Sequence, residues 1–172
     1  MAKTVELRRH TANDGDVLTP DGIRSAVEIG SQLSGRYDLL VSSGAQRATQ
    51  TLACFLAGLG ERFASGVTVD DAFRSQVEPR WFAAAGRATS GGLEAFLKVD
   101  PDLVKDEATR FGEALRRVLN GLPEDGQALI VGHSPMHEVA VYGLTGQMIA
   151  PISKGSGVLV IEDHGRFRVE PC

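Results

Sequence analysis

The sequence predicts a three-layer α/β/α fold around a mainly parallel central sheet, closed by an antiparallel C-terminal edge hairpin. Three observations carry this. Short apolar runs alternate with longer segments of helical apolar spacing, the pattern of strand–helix–strand units. The run Ala128-Leu129-Ile130-Val131 is apolar throughout, as a parallel strand covered on both faces should be. The closing stretches Val158 to Glu162 and Phe167 to Glu170 flank Asp163-His164-Gly165, which is a hairpin signature.

Taken in order, Val5 to Arg9 reads as the first strand. Thr19-Pro20-Asp21-Gly22 then starts a helix: threonine caps, proline suits the first helical position, and Asp21 favours the positive end of the dipole. Its expected apolar face is Ile23, Ala26, Val27, Gly30 and Leu33, with Gly35 as the stop. Tyr37 to Val41 is a buried strand. After Ser42-Ser43-Gly44 a second helix carries Ala48, Leu52, Phe55, Leu56 and Leu59 on one face. Val67 to Asp70 is a third strand. Phe73 to Gly92 shows no clear period and reads as a loop over the site, containing Arg74, Glu78, Arg80 and Trp81. Asp100-Pro101 opens a long helix with Val104, Ala108, Phe111, Leu115 and Val118 on its face. Pro123 to Gly126 turns into the Ala128 strand, and a helix follows from about Pro135 to Leu144.

The chain has 172 residues and shows no repeat, low-complexity tract or linker, so residues 1–172 are expected to form one domain. Apolar residues make up 42% and charged residues 23%, ordinary values for a globular protein. The formal net charge of -4 argues against nucleic-acid or anionic-membrane partners, so an anionic substrate must be met by a local basic cluster. No run approaches the ~18 apolar residues of a membrane span. Residues 1–10 lack an apolar signal core, and a cytoplasmic location is expected. Cys54 and Cys172 read as two unrelated reduced thiols. A monomer is the expected state.

Three polar segments fall where strands end, the place ligands bind in such folds: Arg9-His10, Ser42 to Arg47, and His133. Two histidines and two arginines crowded together call for an anion. Arginine keeps its charge and its planar fork matches phosphate oxygens. A neutral imidazole is a competent nucleophile near neutral pH. The helix after Ser43 would aim its N-terminal amides at the same place. The set suits phosphoryl transfer: one attacker and several fixed positive groups.

These segments resemble a known family. Leu7-Arg8-Arg9-His10 is similar to the Arg-His-Gly signature of the histidine phosphatase superfamily, and Leu18-Thr19-Pro20-Asp21-Gly22 to its Leu-Thr-x-x-Gly. Ser42-Ser43-Gly44-Ala45-Gln46-Arg47-Ala48-Thr49-Gln50-Thr51 resembles its Ser-Ser-x-x-x-Arg-Ala-x-Gln-Thr, and Val131-Gly132-His133-Ser134-Pro135 its Val-Gly-His-x-Pro. Chain length and the ending Ser156 to Glu162 look most like the small bacterial phosphohistidine phosphatases of the SixA type. The resemblance implies His10 as nucleophile and Arg9, Arg47 and His133 as phosphate clamps, with groups near Ser43 and Ser134 assisting. It implies no metal or organic cofactor. The implied substrate is a phosphorylated one, phosphohistidine in proteins or another phosphomonoester.

Two departures stand out. Thr11 replaces the signature glycine, which is harmless if its φ is negative. Ser75 stands where many relatives carry a leaving-group acid. Glu78 is the nearest substitute, ahead of Asp70 and Asp71, with Glu138 behind them, but Glu78 reads first as a solvated loop carboxylate paired with Arg74 or Arg80. A missing acid would favour phosphohistidine, whose imidazole leaves without needing strong protonation.

Other readings compete. Arg8 alternates with Arg9 and should point the other way, to solvent or a salt bridge. His133 and His137, four apart, could be metal ligands, but no third ligand accompanies them. His137 reads instead as a polar residue near the pocket rim. Gly132-His133-Ser134-Pro135-Met136 resembles a serine-hydrolase elbow without its second glycine, and Asp163-His164 are adjacent rather than separated. The domain could also bind a phosphorylated ligand without turning it over. A phosphomutase would need larger insertions.

Overall fold

The computed structural model describes residues 1–33, 36–60 and 66–172. Strand β1 (Lys3–Arg9) leads into a small hairpin, β2 (Asn13–Asp14) and β3 (Val17–Leu18), then helix α1 (Pro20–Gln32). Next come β4 (Leu39–Ser42), α2 (Gln46–Leu59) and β5 (Val67–Val69). A 3-10 turn at Asp71–Phe73 precedes α3 (Glu78–Ala85), α4 (Leu93–Val99) and α5 (Pro101–Gly121). The chain ends with β6 (Gln127–Gly132), α6 (Met136–Thr145), β7 (Gly157–Asp163) and β8 (Arg166–Pro171). The main sheet has the order β5-β4-β6-β1-β7-β8. The first four strands in that order are mutually parallel, and β7 runs antiparallel to both β1 and β8. This is the predicted α/β architecture.

Both faces are covered. Val5, Leu7, Val41, Ala128 and Ile130 pack against α5 and α6 in one core cluster. Leu40, Leu129 and Val131 pack with α1 and α2 in the other. The period of two along each strand divides these sets. On β1 the same alternation sends Glu6 and Arg8 to the α1/α2 side, where they form an ion pair and Glu6 accepts from the Tyr37 hydroxyl at 2.6 Å. The expected salt-bridge role of Arg8 is what the structure shows.

Local signals act as the sequence suggests at several ends. Thr19 accepts from the Gly22 amide at 3.1 Å and caps α1, and Asp100 accepts from Leu103 N to cap α5. The expected face of α1 needs correction. Ile23 and Val27 are exposed, and Gly22, Ala26 and Gly30 are buried instead. The reason is close helix approach: a Cβ on Gly30 would meet the Phe55 carbonyl oxygen at 2.3 Å, and one on Gly58 the Val27 oxygen at 2.1 Å. Small residues, not large ones, face α2. The stop placed at Gly35 lies outside the described residues.

The segment Phe73 to Gly92 is also corrected. It is not a loop: Glu78–Ala85 is helical, with Pro79 at its start and Trp81 and Ala84 buried. Eight residues are too few to show a period, and exposed Phe82 breaks the apolar pattern. The β2–β3 hairpin and α4 were likewise not anticipated. No described helix is long and apolar enough to cross a membrane.

The α5–α6 contact depends on Gly143, whose added Cβ would lie 1.8 Å from the Ala108 carbonyl oxygen. We expect Gly143→Ala to lose about 1–3 kcal/mol of stability, read as a lower urea midpoint. An unchanged midpoint would show that the helices can separate freely.

Candidate active site

The ends of β1, β4 and β6 are sewn together by backbone bonds. His10 N donates to Gly132 O at 3.0 Å, and Ser43 N to Val131 O at 3.0 Å. The loop before β7 joins them, with Gly155 N donating to the Arg9 carbonyl at 3.1 Å. The residues that follow these strands therefore meet at one end of the sheet. They open on a cavity of about 500 Å³ whose lining includes Arg9, His10, Arg47, Glu78, His133 and Ser134.

His10 is almost wholly buried, and its Nδ1 lies 2.8 Å from the Thr11 carbonyl oxygen. A carbonyl only accepts, so Nδ1 carries the proton and Nε2 keeps its lone pair. Burial lowers the His10 pKa to about 4; the Thr11 carbonyl opposes this, and Arg47, Arg9 and Lys154 add to it. Edge-on to it, with ring centroids 5.3 Å apart, stands His133. Arg47 Nη2 donates to His133 Nδ1 at 3.3 Å, so His133 Nε2 bears the hydrogen and donates to Ser43 Oγ at 3.0 Å. Burial first, then Arg47, His10 and His137, lower its pKa to about 2. Two neutral imidazoles thus sit among fixed cations.

Arg47 also donates to Asp16 Oδ1 at 2.7 Å, and Asp16 accepts from the Gln46 amide at 3.3 Å. Asp16 both aims Arg47 and caps α2. Arg9 Nη1 donates to Ile152 O at 3.0 Å, while its Nε is buried with no hydrogen-bond partner. Behind it Glu138 accepts from the Ser134 hydroxyl and from Ile152 N at 2.7 Å. Burial raises the Glu138 pKa against these bonds and the charge of Arg9. An unpaired buried N–H of arginine is expensive to keep unless an anion completes it.

No protein-family model matches the chain, and no curated protein sequence does. Solved structures match well. A phosphoglycerate mutase from Bacillus anthracis str. Sterne superposes with a TM-score of 0.76 at 15% identity, covering 99% of this chain and 92% of that one. Phosphoserine phosphatase from Entamoeba histolytica, in complex with 3-phosphoglyceric acid, gives 0.74 at 17%, covering 97% and 94%. The putative phosphohistidine phosphatase SixA from Agrobacterium tumefaciens gives 0.57 at 18%, covering 97% and 95%. The chain has the phosphoglycerate mutase-like histidine phosphatase fold.

Within that fold the sequence-derived residues divide. Arg9, His10, Arg47, His133, Ser134 and Glu78 reach the cavity. Ser43 does not line it: its hydroxyl faces His133 and its amide is spent on β6, so it positions rather than contacts a ligand. Asp70 instead holds Arg117 and the Ala72 amide, and Asp71 sits in the 3-10 turn. Glu138 lies behind Arg9, outside the lining. Ser75 lines the cavity, but its hydroxyl donates to Glu107 at 2.6 Å. Glu78 is bonded to Arg74 at 3.0 Å on the cavity wall.

One expectation is corrected, and one rival reading, already disfavoured, finds no support. His137 is not at the rim; it is 1% exposed and its Nε2 donates to the Arg8 carbonyl at 2.9 Å. Its position as the second residue of α6 turns it under the sheet end. The Ser134 hydroxyl bonds Glu138 rather than an imidazole, and Asp163-His164 close the β7–β8 turn beside the opposite end of β1, so no serine triad assembles. Thr11 proves compatible with its place. It is not among the described non-glycine residues with positive φ, and its hydroxyl donates to Gly22 O at 2.8 Å, away from the cavity. Sequence reasoning missed Asp16, Asn13 and Lys154, which lie in turns or, for Asn13, in a two-residue strand, segments too short to show a periodic signal.

His10, His133 and His137 are held neutral, the last also by burial to about 4. Each takes up a proton more readily unfolded, near the ordinary ~6.5. The unfolded chain therefore binds more protons below that pH, and stability rises with pH between about 4 and 6.5. Their contribution is fully present above 6.5 and lost on acidification. Urea midpoints should fall from pH 6.5 to 5, and His137→Gln should flatten that stretch. A parent curve flat over this range would contradict the assignment.

Proposed function

We propose that the protein is a phosphatase that works through a phosphohistidine formed on His10, without a metal ion. The observation that carries this is the locked His10 ring: Nδ1–H is held by the Thr11 carbonyl, which leaves the Nε2 lone pair in a cavity lined by Arg9 and Arg47. The phosphatases among the structural neighbours support the same reading.

In the first step His10 Nε2 attacks phosphorus in line, and the N–P bond forms as the P–O bond to the leaving group breaks. Arg9 and Arg47 neutralise the equatorial oxygens, and His133, which accepts from Arg47 through Nδ1, holds that guanidinium in place. Glu78, in its acid form, gives the departing alkoxide its proton. In the second step Glu78 takes a proton from water, the oxygen of which bonds to phosphorus as the N–P bond breaks. Inorganic phosphate leaves and His10 is restored. The reaction draws its positive charge from the chain's own arginines.

The test is hydrolysis of phosphoimidazole and p-nitrophenyl phosphate in EDTA by the parent and His10→Ala. Both activities should persist in chelator, disappear in the variant, and be inhibited by phosphate or vanadate. Undiminished turnover by His10→Ala would remove the nucleophile and the reading with it. Glu78→Gln should slow an alkyl phosphate by about 10²-fold or more and phosphoimidazole much less. Equal slowing of both would deny Glu78 the acid role.

A further inference from the structure

Opposite the phosphate cradle the cavity has a wall of another character. Helix α3 turns one stripe to it, Glu78, Trp81, Phe82 and Ala85, at the i, i+3, i+4, i+7 spacing of a single helix face. Only the first of these is polar, and it sits at the helix start. Phe96 and Met136 complete the wall. The Trp81 and Phe96 rings meet edge-on at 5.2 Å.

The polar atoms of this wall are already used. Trp81 Nε1–H donates to Glu107 at 3.1 Å, and the Ser75 hydroxyl donates to the same carboxylate. Glu107 in turn is held by Arg110 at 3.0 Å. The indole therefore shows the cavity carbon and no donor. Phe82, 73% exposed, stands at the mouth with its ring uncovered. It lies in one stripe with Trp81 and Ala85, so it extends the apolar surface that already forms this side of the cavity. On the other side, Asn13 Oδ1 is buried without a hydrogen-bond partner, room for one donor on a ligand.

We infer that the site, read as a phosphatase as above, takes small phosphomonoesters whose organic group is neutral and apolar or aromatic. The phosphate seats on Arg9 and Arg47, and the organic group lies along Trp81 and Phe82. A polyhydroxylated group such as a sugar or glycerol would lose water hydrogen bonds on entering and find almost no replacement on this wall. The size of the cavity, about 500 Å³, accommodates a phosphate and a ring together.

The experiment compares benzyl phosphate with glycerol 3-phosphate, two alkyl esters with leaving groups of similar basicity, so their ratio of kcat/KM reads recognition and not bond strength. Benzyl phosphate should be favoured by about tenfold or more. Phe82→Ala should cut that ratio several-fold, and Ala85→Asp, which puts a charge into the wall, should cut it too. Phe82 is exposed, so its replacement does not threaten the core. Equal kcat/KM for the two esters, or a ratio unmoved by both variants, would overturn the inference and leave the phosphatase reading intact. No turnover of any phosphate, including p-nitrophenyl phosphate, would instead remove the phosphatase reading.

Discussion

Three parallel strands, β1, β4 and β6, end at one level of the sheet, and everything at the site depends on this. Their registers place Arg9 opposite Gly132 and Ser42 opposite Val131. The backbone bonds that continue past the strand ends, His10 to Gly132 and Ser43 to Val131, hold the next residues in place as firmly as the ladder itself. The residues that line the cavity from this side are thus extensions of the most buried part of the fold. Loops alone could not crowd two imidazoles and two guanidiniums so closely, because the mutual repulsion and desolvation would drive them apart.

The crowding is made tolerable by the protonation pattern. Carbonyls fix the hydrogens on His10 Nδ1 and His137 Nε2, and Arg47 claims the lone pair of His133. Each ring is neutral, so the arginines face no additional positive charge. Among the described residues the buried Arg9 Nε has no hydrogen-bond partner, and neither have Asn13 Oδ1 and Glu138 Oε2. Glu138 offsets part of the positive charge from behind, where it also ties Ser134 to the Ile152 loop.

The far wall follows a separate logic. Glu107 is the anchor there: it takes up the polar atoms of Ser75, Trp81 and Arg110, and Arg110 in turn holds the Ala72 and Arg74 carbonyls. This inward network shapes the 72–75 turn and the tilt of α3. It turns a segment of mixed composition into a wall that is apolar on the cavity side. The cavity is therefore lined from two parts of the chain, its basic side from the sheet ends and its apolar side largely from α3.

The sequence by itself determined the layered α/β fold, the order of its long elements and the residues gathered at the strand ends. Those features rest on local signals: apolar period, caps such as Thr19 and Asp100, and motifs whose spacing survives along the chain. Only the tertiary structure decided what depends on partners distant in sequence. That Asp16 aims Arg47, that Ser43 stands behind His133, that His137 is buried under β1, and that Glu107 organises α3 all follow from contacts across 26 to 129 positions. The apolar face of α1 and the helical state of Glu78–Ala85 depended on packing in the same way. Glycine-to-backbone approach between α1 and α2, and an exposed Phe82 on a two-turn helix, reverse the usual inside-apolar rule, and only packing in three dimensions shows why.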